Sequence, residues 1–153
     1  MVATVLLENS WLFQGLPPES FRPIADCAKE RRFPAESMIF KEGDPASDLW
    51  VLAEGELELV YVIHARSPFP MKIAHIMPGD PFGWSAMARN EKYIGNARPM
   101  VDSAVWQIPA ARLFEIMDRD PVAGYRIMSR LTQLISRRLH DVRTEVRWFL
   151  SSL

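Results

Sequence analysis

Between residues 33 and 109 the chain never runs far without a turn signal. Pro34, Gly43-Asp44-Pro45, Gly55, Ser67-Pro68, Pro78-Gly79-Asp80-Pro81 and Pro99 cut it into short β-favouring runs. Such punctuation leaves no room for helices of ordinary length and predicts short strands joined by tight turns, as in a sandwich or jelly roll. The clearest runs span residues 37–40, 49–53, 56–62 and 71–77. In the third, Leu57, Leu59 and Tyr61 alternate with Glu56, Glu58 and Val60, the period-two pattern of a sheet with one wet face. Glu56 and Glu58 are therefore expected in solvent.

Helical periodicity flanks this segment. Pro17-Pro18-Glu19-Ser20 opens a helix that should reach about Lys29, since proline is tolerated in a first turn and apolar residues then recur at three and four. Leu6, Trp11, Leu12 and Phe13 are expected to pack on it. A short helix follows at residues 110–118, and Asp120-Pro121 supplies the cap and first-turn signal of another. That last helix meets no breaker after Gly124 and is expected to reach Leu150. Ile127, Leu131, Leu134, Ile135, Leu139, Val142, Val146 and Phe149 form its apolar stripe. Its length of roughly 40 Å would carry the far half beyond a single protomer. A second copy of the helix at residues 124–150 is the natural cover, which predicts a homodimer. One domain is expected, with N-terminal helices (1–32), a β-roll (33–109) and C-terminal helices (110–153).

Composition excludes several functions. A formal net charge of -1 removes the general attraction to phosphate backbones or anionic membranes. The single cysteine, Cys27, has no internal partner and sits where a small buried hydrophobe is expected. Neither a signal sequence nor a membrane span is visible, so the expected location is the cytoplasm. His64, His75 and His140 are scattered, with no His-x-His or Cys-x-x-Cys pair, so no metal is expected. No serine, cysteine or lysine stands in a recognised catalytic motif, and no enzyme is expected.

The most specific signal is Phe82-Gly83-Trp84-Ser85-Ala86-Met87 followed by Tyr93-Ile94-Gly95-Asn96-Ala97-Arg98. With Phe33-Pro34, the run Ile39-Phe40-Lys41-Glu42-Gly43-Asp44-Pro45-Ala46, Leu49-Trp50-Val51-Leu52, Gly55, Pro78-Gly79-Asp80 and Asp102-Ser103-Ala104-Val105-Trp106, it resembles the cyclic-nucleotide-binding domain of the catabolite activator protein (Crp/Fnr) family. The resemblance implies a mainly β fold with flanking helices: a double-stranded β-helix, or jelly roll, with N-terminal helices and a long C-terminal dimerisation helix. It places Glu36 where relatives usually have glycine.

The resemblance also implies a site. Gly83, Trp84, Ser85 and Ala86 occupy the short helix whose amides face a cyclic phosphate, a use of orphan N–H groups suited to compact anions. The family's ribose-binding glutamate falls on Trp84 and its phosphate-binding arginine on Tyr93. An indole cannot accept a hydrogen bond, and a phenol is a neutral donor in place of a two-pronged cation. Losing one partner of a buried ion pair costs about 3–5 kcal/mol, so cyclic AMP binding should be weak or absent. Arg89 and Lys92 are the nearby cations; Lys92 should point away from the pocket, while Arg89 could fold back over the turn. Ile94, Asn96 and Ser85 complete the candidate pocket. Two outcomes stay open: Trp84 and Tyr93 line a flatter pocket for an aromatic or uncharged ligand, or they fill it.

On the last helix, Arg126, Arg130, Arg137, Arg138, Arg143 and Arg147 outnumber Asp141 and Glu145. A solvated face with Arg137 and Asp141 at pairing distance is one reading. The other is a lid, in which Arg137, Arg138 and Asp141 meet a ligand or an acidic partner. The family's transcription factors continue into a winged helix, whereas these 153 residues stop at Leu153. The expectation is a stand-alone sensor without direct DNA binding. The alternatives are a ligand-free dimeric interaction module or, if the chain is part of a longer one, the effector domain of a transcription regulator.

Overall fold

The computed structural model describes residues 7–153. Helix α1 (Pro18–Cys27) leads into strands β1 (Lys29–Phe33), β2 (Asp48–Glu54), β3 (Leu57–Ile63), β4 (Phe69–Ile76) and β5 (Pro81–Phe82). A single 3-10 turn, Trp84–Ala86, precedes β6 (Asn96–Pro99) and β7 (Ser103–Pro109). Helices α2 (Ala110–Arg119) and α3 (Pro121–Ser151) close the chain. The strands form two antiparallel sheets, ordered β1-β7-β2-β5 and β4-β3-β6, as the jelly-roll expectation requires.

Two apolar cores follow from this layering. One joins Leu12, Phe21 and Ile24 to Val51, Ile108, Leu113, Ile127 and Leu131, so the helices pack on the outside of the β7-β2 sheet. The other fills the roll between the sheets with Phe40, Trp50, Leu52, Leu57, Leu59, Ile76 and Phe82. Trp11, Leu12 and Phe13 belong to or pack on the first, as expected of them, while Leu6 lies outside the described residues.

Several boundaries differ from the sequence reading. Helix α1 ends at Cys27, two residues before the expected Lys29, and residues 29–33 form an edge strand that begins ahead of the β-roll's expected start at 33. The sequence Lys29-Glu30-Arg31-Arg32 is almost wholly exposed, the charge pattern that protects a sheet edge, and it carries no alternation to betray a strand. Residues 37–40 are not a strand; only Phe40 makes an isolated bridge, to Ala97. Glu36 just before them holds φ at 67°, a left-handed turn that favours glycine, and its amide donates to Pro99 O at 3.0 Å. Glu58 is buried rather than solvated. Its register partner on β6 is Arg98, whose guanidinium holds the carboxylate through Nε at 2.9 Å and through Nη2, with Lys72 Nζ at 3.6 Å.

The last helix spans 31 residues, about 46 Å at ~1.5 Å per residue. Asp120 caps it, accepting from Ala123 N at 3.2 Å and from the Ser20 hydroxyl at 2.6 Å, and these bonds hold its carboxyl below the usual carboxylate range. Three of its arginines are not a solvated face. Arg126 donates to Gly15 O at 2.6 Å, Arg130 to Leu12 O at 3.1 Å and Gln14 O at 2.6 Å, and Arg137 lies 5.4 Å from the centre of the Trp11 ring. These contacts tie the N-terminal segment to α3. Among the described residues no helix is long and apolar enough to cross a membrane.

Candidate functional site

Strand β5 delivers Phe82 into the core of the roll, and the backbone then reverses at Gly83 with φ of 75°. A Cβ at this position would stand 2.7 Å from Trp50 Cδ1, so both the positive φ and the close approach require glycine. Trp84, Ser85 and Ala86 then make the 3-10 turn, whose first amides have no carbonyl of their own turn to bond. Ser85 is buried and Trp84 is half-buried. Across from them, Tyr61, Ile94 and Asn96 come from β3, the loop before β6 and the start of β6. Together with Phe40 and Tyr93 these residues line a cavity of about 30 Å³. On that scale about 10–15 Å³ holds one water, so the space is that of a few water molecules.

Tyr93 explains why so little room remains. Its ring stacks on Phe40 with centroids 3.8 Å apart and planes 11° from parallel. The hydroxyl donates to Asp48 O at 2.6 Å and accepts from Trp50 Nε1 at 3.0 Å and from Asp48 N at 3.3 Å. A phenol has one donor and two lone pairs, and all are engaged. Burial pushes the Tyr93 phenol above its ordinary pKa, with the Trp50 and Asp48 bonds acting the other way. Tyr93 is thus a wall of the roll.

The structure brings Gly83, Trp84, Ser85, Tyr93, Ile94 and Asn96 together around the cavity. Ala86 is part of the turn but faces the helical core. Asn96 is engaged, its Oδ1 accepting from Glu42 N at 2.7 Å. Arg89 stays away from the cavity: its guanidinium stacks 4.0 Å from the centre of the Phe114 ring on α2, and its own φ is 57°. Lys92 is exposed. Of the three residues expected to form a lid, Arg137 is spent on Trp11, and the pairing partner of Asp141 is Arg138, at 3.3 Å, rather than Arg137. The i,i+3 geometry serves Arg138 as well as i,i+4 would have served Arg137.

Sequence reasoning missed Phe40, Leu59, Tyr61 and Gly95 as cavity walls. Leu59 and Tyr61 were visible on the apolar face of β3, and the inward face of a roll is where a ligand would sit. Gly95 permits a close crossing, since a Cβ there would lie 2.7 Å from Tyr61 Cδ1. Cys27 is half-buried, with its thiol donating to Ile24 O at 3.3 Å and its pKa raised by burial. Among the described residues no three His, Cys, Asp or Glu side chains cluster as a metal site would need.

A two-sheet roll with a tight turn after Phe82-Gly83 and a long C-terminal helix that meets it at β4 defines a class of small regulatory domains. The chain belongs to the cyclic nucleotide-binding domain family, whose sequence profile matches residues 30–120. It is similar to a solved structure from Geobacter metallireducens assigned as a cyclic nucleotide-binding protein, at 31% identity and a TM-score of 0.75, covering 92% of this chain and 100% of that one. The Thermus thermophilus catabolite activator protein shares the fold at 22% identity and a TM-score of 0.71, over 90% of this chain and 62% of that one. Human cGMP-dependent protein kinase 2 is 25% identical over 149 residues, 95% of this chain. The chain spans only 18% of that kinase's length, so the likeness concerns one domain of it.

Proposed function

We propose that this chain is a homodimeric regulatory domain whose pocket no longer recognises cyclic nucleotides in the family's usual way. The observation that carries this reading is Tyr93. At the position where the resemblance places the phosphate-binding arginine, its hydroxyl is fully used within the roll, and its ring fills space a ligand would need. Trp84 stands where a ribose acceptor is expected and has only a donor to offer. Neither Arg89 nor Lys92 makes up the lost charge. Titration calorimetry with cyclic AMP and cyclic GMP should give no binding below millimolar concentration; a low-micromolar Kd for either would overturn the reading.

The dimer is supported by α3. Tyr125, Met128, Thr132, Ile135, Leu139, Val142, Val146 and Phe149 follow one another at alternating steps of three and four, a heptad seam broken only by Thr132. Tyr125, Leu139, Val146 and Phe149 on that seam are 79%, 61%, 40% and 43% exposed. A second copy of α3 would cover them, and sedimentation at tens of micromolar should show a dimer.

The small cavity also supports a second reading, a ligand-free interaction module in which the roll is a scaffold. A thermal shift with any compound of a small-molecule panel that saturates at one site per protomer would decide against it.

A further inference from the structure

The outer face of the β4-β3-β6 sheet is not the wet surface its alternation predicts. Leu57, Leu59 and Tyr61 turn into the roll, which puts Glu58, Val60 and Val62 on the outside. Glu58 and Val60 are nevertheless buried, each 8% exposed. They lie in a cleft of about 270 Å³ whose apolar walls are Met38, Val60, Val62 and Pro70. An apolar cavity of about 150 Å³ is enough to take benzene, so this cleft holds a ring or a short chain with room for a polar head. The small cavity behind the turn at Gly83 is on the other face of the sheet, and the two share Asn96 among their walls.

The charged groups of the cleft converge on Glu58. Arg98 donates to its Oε1 through Nε at 2.9 Å and through Nη2, and Lys72 Nζ stands 3.6 Å from Oε2. One buried carboxylate thus faces two cations, and both have donors left over. The Lys72 side chain is 49% exposed, and the remaining Arg98 nitrogen, Nη1, is directed to Glu36 at 3.2 Å. Glu36 does not suit its place in the backbone: its φ of 67° is a left-handed conformation that glycine takes at no steric cost, so the turn gains nothing from a glutamate. Its side chain is 72% exposed, where an ion pair contributes little to stability. What Glu36 does supply is a carboxylate, laid on a cation that walls the cleft.

We propose that this cleft binds a small apolar monocarboxylate, its hydrocarbon part against Met38, Val60, Val62 and Pro70 and its carboxylate on Arg98 Nη1 and Lys72 Nζ, where it displaces the Glu36 carboxylate. The charges favour that class. Arg98 and Lys72 against Glu58 leave one positive charge once Glu36 is displaced, which a single carboxylate cancels and a phosphate dianion would overshoot. Apolar walls with a few convergent polar groups are the ordinary make-up of a small-molecule site. The site does not involve the turn after Phe82, so it stands whether or not that turn holds a nucleotide.

The test is calorimetry on the full chain with hydrocinnamate and octanoate, each compared with its primary amide, followed by an NMR titration. At least one acid should bind with a submillimolar Kd and its amide at least tenfold more weakly. Lys72→Met, at a half-exposed position, should weaken the acid at least tenfold. Glu36→Gly, which removes the competing carboxylate and suits the backbone, should strengthen it at least threefold. Resonances of Met38, Val60 and Val62 should move during the titration while the Trp84 indole stays in place. Absence of binding by both acids, equal binding of the amides, affinity unchanged in either variant, or shifts confined to Trp84 and Tyr61 would overturn the proposal.

Discussion

Between residues 123 and 134, α3 buries Ala123, Ile127, Leu131 and Leu134 against α2 and the N-terminal segment. Beyond residue 138 the same helix leaves Leu139, Val146, Trp148 and Leu150 between 40% and 69% exposed. Both halves are amphipathic with similar residues, so the difference lies in what stands opposite. The first half faces α2 and a segment pinned by Arg126 and Arg130. The second half meets the roll at fewer points, through Val142 packed against the core between the sheets and through Phe149, which stacks on Phe69 with ring centroids 5.1 Å apart. An apolar stripe is a demand for cover, and its own fold meets that demand for half the helix.

The largest effect should come from the covered half. Leu131→Ala is expected to cost about 2–5 kcal/mol in urea unfolding, the usual loss for a fully buried leucine. Leu139→Ala, one half further on, should change the stability of the monomer by less than about 0.5 kcal/mol. Equal losses would break the comparison.

Next comes the roll that the second half passes. Tyr93→Phe would leave Trp50 Nε1 and Asp48 O without their partner and cost about 1–3 kcal/mol. The wild-type phenol has a raised pKa when folded, so its contribution is complete below the unfolded value of 10.0 and fades as pH rises through the folded one. The alkaline limb of a stability-against-pH curve should therefore be shallower in Tyr93→Phe than in the wild type.

Leu139→Asp tests the uncovered half directly. It should weaken the dimer at least tenfold in sedimentation equilibrium, about 1.4 kcal/mol, while the melting of dilute monomer stays the same. A variant that unfolds as a monomer would show instead that the stripe serves its own roll.

The smallest effect concerns the start of the covered half. The Asp120 carboxyl is held low by Ser20 and the Ala123 amide, so its contribution is present above the unfolded value of 3.8 and is lost as pH falls through the folded one. Melting temperatures across the acid range should fall less steeply in Asp120→Ala.

Much of this fold was legible because the signals are local. Turn residues at fixed places, the alternation in β3 and the Asp120-Pro121 start of α3 each act within a few residues. The errors arose where a distant partner decided. Glu58 reads as a solvated glutamate until Arg98 stands opposite it in register. Most of strand β1 reads as the end of the N-terminal helices until β7 supplies its hydrogen-bond partners. The site was legible as a set of residues around Gly83, but not in its occupancy. For Tyr93 lining and filling the pocket were both open and Asn96 was a candidate ligand contact, and both are engaged by backbone groups far away in sequence, Tyr93 by Asp48 and Asn96 by Glu42.

The sequence alone determined a two-sheet roll with a turn after Phe82, flanking helices, and neutral Trp84 and Tyr93 at the turn, because turn chemistry and residue identity are written position by position. Only the tertiary structure decided that Tyr93 is a wall, that Arg89 leans on Phe114, and that Glu58 is buried against Arg98. Those outcomes depend on which groups meet across the fold, and burial gives a charge or a hydroxyl its meaning only once its neighbours are in place.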